Sequence, residues 1–275
     1  MKLAVSVVLY NPSKENIDHL FSLGKIFDNV YILDNSNVAN DELVSKGNLH
    51  YIPYFENKGI AFALEDGLSR AIEDKNDFLL TLDQDSVYPK DKHLEIVYRL
   101  RQLDMSKDAV FALTTDHDYA SRDNHDEEKV TNCITSGNFL NLKIMKEHDI
   151  HFPVELFIDY VDFEFCRRVL SKDLNIIQSH QYYINHTIGS PLRKNILGIK
   201  FTCMNHSPIR YYYRFRNAYY LKKQFPKFYK HLAFKTLFVD KLKMKLFEED
   251  KKEKSKMIKC GIADAKKSKL GKLNN

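Results

Sequence analysis

Residues 77–86 read Asp77-Phe78-Leu79-Leu80-Thr81-Leu82-Asp83-Gln84-Asp85-Ser86, and this stretch decides the fold. Its apolar centre is typical of a buried strand, and it stops at two acids. In an open α/β sheet, ligands bind at the carboxyl ends of the strands. Asp83 and Asp85 stand at such an end, where two carboxylates separated by one residue can hold a divalent cation. A solvated turn rich in Asp and Ser is the alternative interpretation.

Strand-like and helix-like patterns alternate along the first part of the chain. Apolar runs predict strands over residues 3–9, 30–33, 49–54, 78–82 and 109–113. Apolar residues spaced by three and four predict helices over residues 14–26, 59–72 and 89–103. This alternation favours a parallel sheet with right-handed crossovers. Residues 115–129 are acidic and aperiodic, so we expect an exposed loop; a metal site built from their His and Asp side chains is the alternative.

Composition and length indicate an ordinary globular protein. The chain has 275 residues, 44% hydrophobic and 29% charged, enough for one large domain or one domain with an appendage. No apolar run reaches about 18 residues, so the sequence predicts no transmembrane helix. The N-terminal apolar run is too short for a secretory signal. The four cysteines lack the pair spacing of metal sites, so we expect reduced thiols in a cytoplasmic protein.

Charge is distributed unevenly along the chain. Residues 221–275 contain 17 lysines against six acids, a net charge of +11, whereas the whole chain carries +5. Residues 1–220 are therefore net acidic, at −6. A basic tail on such a body suggests an anionic partner, either a membrane or a nucleic acid. A solvated lysine-rich helix explains the charge as well.

Two further clusters point to a nucleotide. Polar residues follow the first two predicted strands, and Asp34 could accept a hydrogen bond from a nucleobase N–H or a ribose hydroxyl. An Asx turn is the alternative for Asp34. Asn57-Lys58-Gly59 opens a predicted helix, whose N-terminus can receive a phosphate. Because neither GxxxxGKS/T nor GxGxxG is present, ordinary ATP or GTP hydrolysis and NAD binding lose support.

A third cluster, residues 157–168, places three acids among large apolar side chains. Asp162 and Glu164 could not both be fully buried without partners. A carboxylate in a partly apolar site makes a useful general base, because burial disfavours its charged form. The alternative is a helix start, with acids near its positive end and Arg167 and Arg168 later in the helix.

The order of these motifs resembles that of a known family. Four of them carry the resemblance: Val7-Val8-Leu9-Tyr10-Asn11-Pro12, Leu33-Asp34-Asn35-Ser36, Asn57-Lys58-Gly59-Ile60-Ala61-Phe62-Ala63-Leu64 and Leu82-Asp83-Gln84-Asp85-Ser86. Together they resemble glycosyltransferase family 2, whose members are inverting, nucleotide-sugar-dependent enzymes of the GT-A fold. Ile134-Thr135-Ser136-Gly137, residues 157–164, His186-Thr187-Ile188-Gly189 and residues 207–217 further resemble the bacterial rhamnosyltransferase-like members. The likeness covers nearly the whole chain.

The resemblance implies roles for five residues on the nucleotide side. Asp34 would bind the nucleobase, and the chain at Tyr10 and Asn11 would wall the same pocket. Asn57 and Gly59 would also contact the donor.

The resemblance also implies a metal–diphosphate site. Asp83 would lie by the ribose and the metal, and Asp85 would ligate Mg²⁺ or Mn²⁺ that bridges the diphosphate. His186 would complete the metal or diphosphate site, and Arg210 would reach the leaving phosphates.

On the acceptor side, the resemblance implies that Asp162 is the general base and Glu164 a neighbouring acid. One position departs from the family pattern, because Glu65 stands where an Asn is usual, and this weakens a donor-contact role there. The implied fold is α/β, a GT-A (Rossmann-like), mostly parallel sheet flanked by helices. Residues 1–206 would form the catalytic domain, and residues 207–275 a basic amphipathic helical extension.

The implied function is transfer of L-rhamnose from dTDP-L-rhamnose to a growing bacterial surface glycan of a capsule or cell wall. UDP-galactofuranose or another UDP-hexose is the alternative donor. The acceptor would be a polyprenyl-diphosphate-linked or other glycan. The basic tail would lie on the anionic cytoplasmic face of the cell membrane. No nucleic-acid partner is expected; binding of nucleic acid through residues 210–220 and the tail is a further alternative.

Overall fold

The computed structural model describes residues 1–115, 126–186, 192–196, 199–203 and 205–273. The chain divides into two compact units. The first comprises Met1–Val154 and Val161–Thr187, and the second comprises Glu155–Tyr160 and Ile188–Asn275. The predicted domain boundary at residue 206 stays a prediction.

The first unit alternates strands and helices, which the apolar patterns predict as far as residue 113. Its strands are β1 (Leu3–Leu9), β2 (Asn29–Asp34), β3 (Leu49–Pro53), β4 (Phe78–Asp83), β5 (Ser86–Val87), β6 (Asp108–Thr115), β7 (Glu127–Lys129), β8 (Asn138–Asn141) and β9 (Asn175–His186). Its helices are α1 (Lys14–Leu23), α2 (Ile60–Glu73), α3 (His93–Leu100), α4 (Leu142–Glu147) and α5 (Val161–Leu170), and a 3₁₀ turn over Lys90–Lys92 precedes α3.

The α/β class and the large central sheet are confirmed, but the sheet is mixed. The strand order is β3-β2-β1-β4-β8-β6-β9-β5, with β7 paired to β9. The first four strands are parallel, whereas β8 runs antiparallel to both β4 and β6. The four residues of β8 are too few for a periodic signal, so the sequence did not reveal this strand.

The prediction of an exposed loop over residues 115–129 is wrong at its C-terminal end. Glu127–Lys129 forms β7, which pairs antiparallel with β9. Arg99 holds this strand through two hydrogen bonds to the Glu127 carboxylate, at 2.6 and 2.7 Å. The proposed loop histidines and acids at 116–125 lie outside the described residues.

The core of the first unit lies on both faces of the parallel strands. All seven residues of β1 are buried, as expected for a strand covered on both sides. Helix α2 presents small residues to the sheet at this point. A Cβ at Gly67 would meet the Ser6 Cβ at 2.9 Å, so only glycine permits this close approach of helix and strand. The core therefore fixes the strand ends at which ligands bind in this class of sheet.

The second unit is mainly helical in its described part. An antiparallel hairpin, β10 (Leu192–Ile196) and β11 (Ile199–Cys203), precedes four helices and a π-helical segment: α6 (Pro208–Gln224), α7 (Pro226–Phe234), the π segment (Lys235–Asp240), α8 (Lys241–Phe247) and α9 (Lys251–Lys266). The predicted helical extension is therefore present. Across the described residues, every helix is too short or too polar to cross a membrane.

Candidate active site

The strand register brings Asp34, the predicted nucleobase ligand, and Asp83, a predicted metal ligand, to one edge of the sheet. Leu9 at the end of β1 pairs with Asp34 on β2, and Val8 pairs with Asp83 on β4. Asp34 and Asp83 thus flank β1, and their backbones are two strand spacings apart, roughly 10 Å. This separation places both acids at the crevice where ligands bind in such sheets.

Asp34 is held rigidly at this edge. The residue is 1% exposed, and its carboxylate accepts hydrogen bonds from the Ser36 N–H at 2.9 Å and the Tyr51 hydroxyl at 2.8 Å. Burial raises the pKa of Tyr51 to about 12. The hydrogen bond from the Asn40 N–H lowers this pKa, whereas the hydrogen bond to Asp34 raises it. Tyr51 therefore stays a hydrogen-bond donor. Sequence reasoning missed this tyrosine, because it pairs with Asp34 only across β2 and β3.

The predicted pocket wall at Tyr10 and Asn11 lies beside the acid turn. The Tyr10 N–H donates to the Gln84 side-chain oxygen at 2.8 Å, and Asn16 donates to the Gln84 carbonyl at 2.9 Å. The Asn11 N–H donates to the Ser36 hydroxyl at 2.7 Å. Gln84 therefore fastens the turn between the two acids to the end of β1, a role that no local pattern indicated.

The Asn57–Gly59 turn is arranged by its own side chains. Gly59 has a φ of 88°, which favours glycine, and its N–H donates to the Asn57 side chain at 2.9 Å. The Lys58 N–H donates to Asn35 at 2.9 Å. A phosphate would therefore meet the N–H groups from Ile60 onward, where no described side chain caps the first turn of α2. Phosphate binding here stays a prediction.

The acid turn itself is tied to a second motif. Asp83 ends β4 half-buried, and Asp85 is exposed in the following turn. The Asp83 N–H donates to the Ser136 hydroxyl at 3.0 Å, and that hydroxyl donates to Ser86 at 2.7 Å. The neighbouring Gly137 has a φ of 88° and donates its N–H to the Thr81 carbonyl at 2.7 Å. The Ile-Thr-Ser-Gly motif thus supports both ends of the acid turn.

The donor chemistry of this turn suits Mg²⁺ or Mn²⁺. Asp83 and Asp85 supply hard carboxylate oxygens, and Mg²⁺ commonly uses one or two carboxylates together with substrate phosphates and waters. The described residues contain no group of three or more His, Cys, Asp or Glu arranged for a metal. The His186 backbone pairs with Ser86, but the side chain of His186 lies outside the described part of the chain. The two acids fit such an ion without a dedicated protein cage.

Asp162 lies in the first turn of α5, beside an open cavity of about 200 Å³. This Asp162 cavity is lined by Leu113, Thr115, Asn132, Cys133, Ile134, Asp162, Phe163 and Gln178. The thiols of Cys133 and Cys166, far apart in sequence, lie 3.7 Å from each other. The Cys166 thiol, burial and then the Asp162 charge raise the pKa of Cys133, so its thiol stays protonated.

Glu164 occupies a different environment from Asp162 on the same helix. It is buried, and Arg167 binds both of its carboxylate oxygens at 2.7 and 2.6 Å. Arg168 approaches the same carboxylate at 3.3 Å. This arrangement matches the alternative interpretation of the sequence, in which acids lie at the start of a helix and arginines follow later in it. The geometry favours Glu164 as a structural ion-pair partner, and its acceptor-side role stays a prediction.

Two motifs meet within the second unit. Asn217 donates its side-chain N–H groups to the carbonyls of Leu156, Ile158 and Asp159, at 3.0, 2.8 and 2.9 Å. Asp159 and Tyr160 have left-handed φ values of 61° and 70°, which are strained for such residues. The Asn217 contacts satisfy the carbonyls of this strained segment.

Arg210 belongs to the second unit. Its guanidinium, 42% exposed, pairs with Asp159 at 3.3 and 3.4 Å. Contact with leaving phosphates stays a prediction for this residue.

Glu65, which stands where the family pattern usually has an Asn, makes structural contacts in the first unit. Glu65 accepts a hydrogen bond from the Phe152 N–H at 2.8 Å and lies 2.6 Å from His151 Nδ1. A carboxylate there fastens the loop after α4 to α2. The residue is therefore engaged in structure within the first unit.

Comparison with known proteins gives one curated relative and many similar folds. No protein-family profile matches the chain. The chain is 28% identical over 239 residues to the dTDP-rhamnosyl transferase RfbF of Shigella flexneri, covering 79% of each.

Solved structures show the same fold at low sequence identity. TarS 1–349 of S. aureus, in complex with UDP-GlcNAc, matches 98% of this chain and 82% of its own, with a TM-score of 0.55 and 16% identity. GalNAc-T7 with UDP, GalNAc and Mn²⁺ matches 96% of this chain and 56% of its own, with a TM-score of 0.60 and 11% identity. The chain spans 44% of a longer TarS structure. These likenesses establish the fold.

Proposed function

We propose that this chain, which shares the fold of GT-A enzymes and is similar to a dTDP-rhamnosyl transferase, is a glycosyltransferase that moves a sugar from a nucleoside-diphosphate donor to a glycan hydroxyl. The observation that carries the proposal is the register that puts Asp34 and Asp83 on either side of β1 at one sheet edge. The 28% likeness to RfbF supports L-rhamnose, carried by dTDP, as the sugar.

On the donor side, Asp34 would hold the nucleobase next to the chain at Tyr10 and Asn11. Asp83 and Asp85 would hold Mg²⁺ or Mn²⁺. When bound, such an ion would neutralise the negative charge that develops on the departing nucleoside diphosphate. The hydrogen bonds that Gln84 and Ser136 accept from backbone N–H groups support this assignment, because they fix the turn that carries both acids.

On the acceptor side, Asp162 would accept the proton of the attacking hydroxyl. The acceptor oxygen forms a bond to the anomeric carbon while the bond from that carbon to the diphosphate oxygen breaks. A single displacement of this kind inverts the anomeric configuration and needs no covalent sugar–enzyme intermediate. Asp162 supports the role because it is half-buried and lines a cavity, whereas Glu164 is already paired with Arg167.

A donor screen tests the proposed function. Release of nucleoside diphosphate is measured from dTDP-L-rhamnose, UDP-galactofuranose and UDP-glucose, each with Mg²⁺, with Mn²⁺ and with EDTA. We expect release from dTDP-L-rhamnose that EDTA suppresses. Release from the UDP sugars alone would replace the donor with the alternative one. No release or transfer from any nucleotide sugar would contradict the function.

The second unit carries a surface that fits an anionic membrane. The proposed location of the protein is the cytoplasmic face of the cell membrane. Large apolar side chains, each 55–58% exposed, project from its α7–α8 region: Phe228, Phe234, Phe238, Leu242 and Leu246. Exposed lysines accompany them at positions 227, 230, 235 and 245. We call this set the basic apolar face. Apolar side chains flanked by lysines suit a surface that combines acyl chains with negative headgroups. A polyprenyl-diphosphate-linked glycan is the proposed acceptor at such a surface.

A further inference from the structure

The Asp162 cavity has one polar side and one apolar side. Asp162, Asn132 and Gln178 line it with a carboxylate and two amides, whereas Phe163 and Ile134 provide apolar surface. A sugar ring presents hydroxyl groups at its edge and C–H groups on its faces. Carboxylates and amides bind hydroxyls, and an aromatic side chain packs against C–H groups. The lining therefore matches the chemistry of a saccharide.

The size of the cavity restricts what it can hold. A protein cavity of about 150 Å³ accepts a six-membered ring such as benzene. At about 200 Å³, the Asp162 cavity has room for one sugar ring. A chain of several sugars would extend from its open side. One ring placed here would lie beside Asp162.

Gln178 is the best-placed amide for binding such a ring. It lies on β9, where it pairs with Ala112 on β6 and with Glu128 on β7. Two neighbouring strands therefore fix its backbone. Its half-buried side chain has no hydrogen-bond partner among the described residues. An amide with open donor and acceptor atoms can orient a hydroxyl in either direction.

Cys133 keeps the cavity free of a competing negative charge. Its thiol contacts Cys166 at 3.7 Å, and the Asn138 side chain lies 3.4 Å from the same sulfur. Its raised pKa keeps this sulfur neutral beside Asp162. Among the described residues that line the cavity, Asp162 is the one acidic side chain.

We infer that the Asp162 cavity binds the terminal sugar residue of the acceptor, and that Gln178 orients its attacking hydroxyl toward Asp162. This inference rests on the proposed function, since it names where the acceptor of that reaction binds. The same cavity could instead receive the sugar of the donor, which has similar chemistry. The test separates these two sources.

The test uses Cys133 as a reporter of cavity occupancy. The full chain is treated with iodoacetamide at alkaline pH, where a fraction of the Cys133 thiol ionises and can react, and labelling of each cysteine is followed by peptide mass spectrometry. Methyl glycosides of L-rhamnose, glucose, galactose and N-acetylglucosamine serve as acceptor probes. At three times its dissociation constant, a bound glycoside should slow Cys133 labelling about fourfold by mass action. Exposed Cys260 should be labelled at an unchanged rate.

Two variants test whether the protection of Cys133 depends on the Gln178 amide. Gln178→Ala should raise the dissociation constant of the glycoside about fivefold, the loss expected for one hydrogen bond, so the same glycoside concentration should slow Cys133 labelling only about 1.6-fold. Gln102→Ala removes an exposed glutamine outside the cavity and should leave the protection unchanged. In transfer assays, Gln178→Ala should raise the KM for the acceptor glycoside about fivefold, whereas Gln102→Ala should leave this KM unchanged.

The outcomes separate this inference from the proposed function. Protection by dTDP-L-rhamnose, but by no glycoside, would assign the cavity to the donor sugar and overturn the inference. Sugar transfer without any protection of Cys133 would also overturn it, while the proposed function stands. Protection by a glycoside that Gln178→Ala weakens supports the cavity as a saccharide site, even if the donor screen fails.

Discussion

At the residue scale, single side chains join motifs that are distant in the sequence. The Ser136 hydroxyl accepts from the Asp83 N–H and donates to Ser86. Gln84 accepts from the Tyr10 N–H. Because these hydrogen bonds fix the acid turn on both sides, the proposed ion would bind to carboxylates on an ordered backbone, and less ordering would be needed on binding.

Asp162→Asn should abolish most sugar transfer. The amide preserves the shape of the side chain but cannot accept the proton of the attacking hydroxyl. Loss of a general base lowers turnover about 10²- to 10⁴-fold. Steady-state transfer assays measure kcat, and nucleotide titration should show unchanged donor affinity. Asp18→Asn, an exposed acid on α1, is the matched control. Full turnover by Asp162→Asn would remove Asp162 from the mechanism.

His151 should contribute stability that depends on pH. The hydrogen bond to Glu65, followed by that to Asp149, raises the pKa of His151 above its usual 6.5. The folded state therefore binds the proton more tightly than the unfolded state. Stabilisation is complete below the unfolded pKa and is lost as pH rises through the higher folded pKa.

Thermal denaturation across pH 5–9 tests this contribution, the range being chosen roughly to bracket the ordinary histidine pKa. The Tm deficit of His151→Gln relative to the original chain should be largest at the acidic end and shrink toward the alkaline end. His231→Gln, at an exposed site on α7, is the control for replacing a histidine by glutamine. A deficit that grows with pH would contradict the assignment.

At the element scale, α9 packs directly on α6 in the second unit. A Cβ at Gly261 would collide with the Tyr212 carbonyl oxygen. Helix propensity alone favours replacing a helical glycine by alanine, by about 1 kcal/mol. Close packing has the opposite effect here, because the atom that would be struck belongs to the backbone and cannot rotate away.

Gly261→Ala should therefore destabilise the protein. Overpacking costs about 1–3 kcal/mol, and we expect the upper part of this range because the Tyr212 backbone cannot move aside, so the cost should exceed the gain of about 1 kcal/mol in helix propensity. Urea denaturation gives the free energy of unfolding. Lys256→Ala on an exposed position of α9 provides the control for a change to alanine in the same helix. Stabilisation by Gly261→Ala would show that the two helices can separate without loss.

The Lys254–Glu248 ion pair is the second contact on which this helix depends. Both side chains are 2% exposed, and Lys254 Nζ lies 3.0 Å from the Glu248 carboxylate, which also accepts from the Tyr211 hydroxyl. Lys254→Met leaves a buried carboxylate without its cation, which should reduce the free energy of unfolding by about 3–5 kcal/mol. Adding Glu248→Gln should recover most of this loss, since the charge is then removed. Lys252→Met, at an exposed site, is the control and should change the free energy of unfolding little. Equal losses in Lys254→Met and Lys252→Met would refute the buried-pair explanation.

At the scale of the whole molecule, the acidic and basic parts of the chain differ in the partner they suit. The sheet edge of the first unit carries Asp34, Asp83 and Asp85, whereas the basic apolar face belongs to the second unit. A donor that brings its own divalent cation suits the acids. Anionic lipid suits the lysines.

Vesicle binding should depend on the apolar residues of the basic apolar face. Phe238→Ser combined with Leu242→Ser should lower partitioning to anionic vesicles at least about tenfold, because each inserted side chain contributes about 1.5 kcal/mol or more. Val38→Ser with Val44→Ser removes comparably exposed apolar residues of the first unit and is the control. Co-sedimentation with anionic and neutral vesicles measures the difference. Equal binding by both double variants would contradict the membrane proposal.

Much of the first unit could be predicted because its signals are local. Continuous apolar runs predict buried strands, and β1 and β4 begin and end within one residue of the predicted positions. Helix α1 is shorter than predicted: it ends at Leu23, before the glycine at its C-cap. The short strands β7 and β8 were missed, since three or four residues carry too little periodicity and their pairing is set by distant strands.

The sequence by itself determined the order of acids along the chain, the buried strands that end at them and the basic charge of the tail. Only the tertiary structure decided which residues meet: Tyr51 with Asp34, Ser136 with Asp83, Cys133 with Cys166 and Gln178 with the Asp162 cavity. The physical reason is one of range. Strand and helix preferences act over a few neighbouring residues, whereas these contacts depend on strand register and packing between segments tens of residues apart.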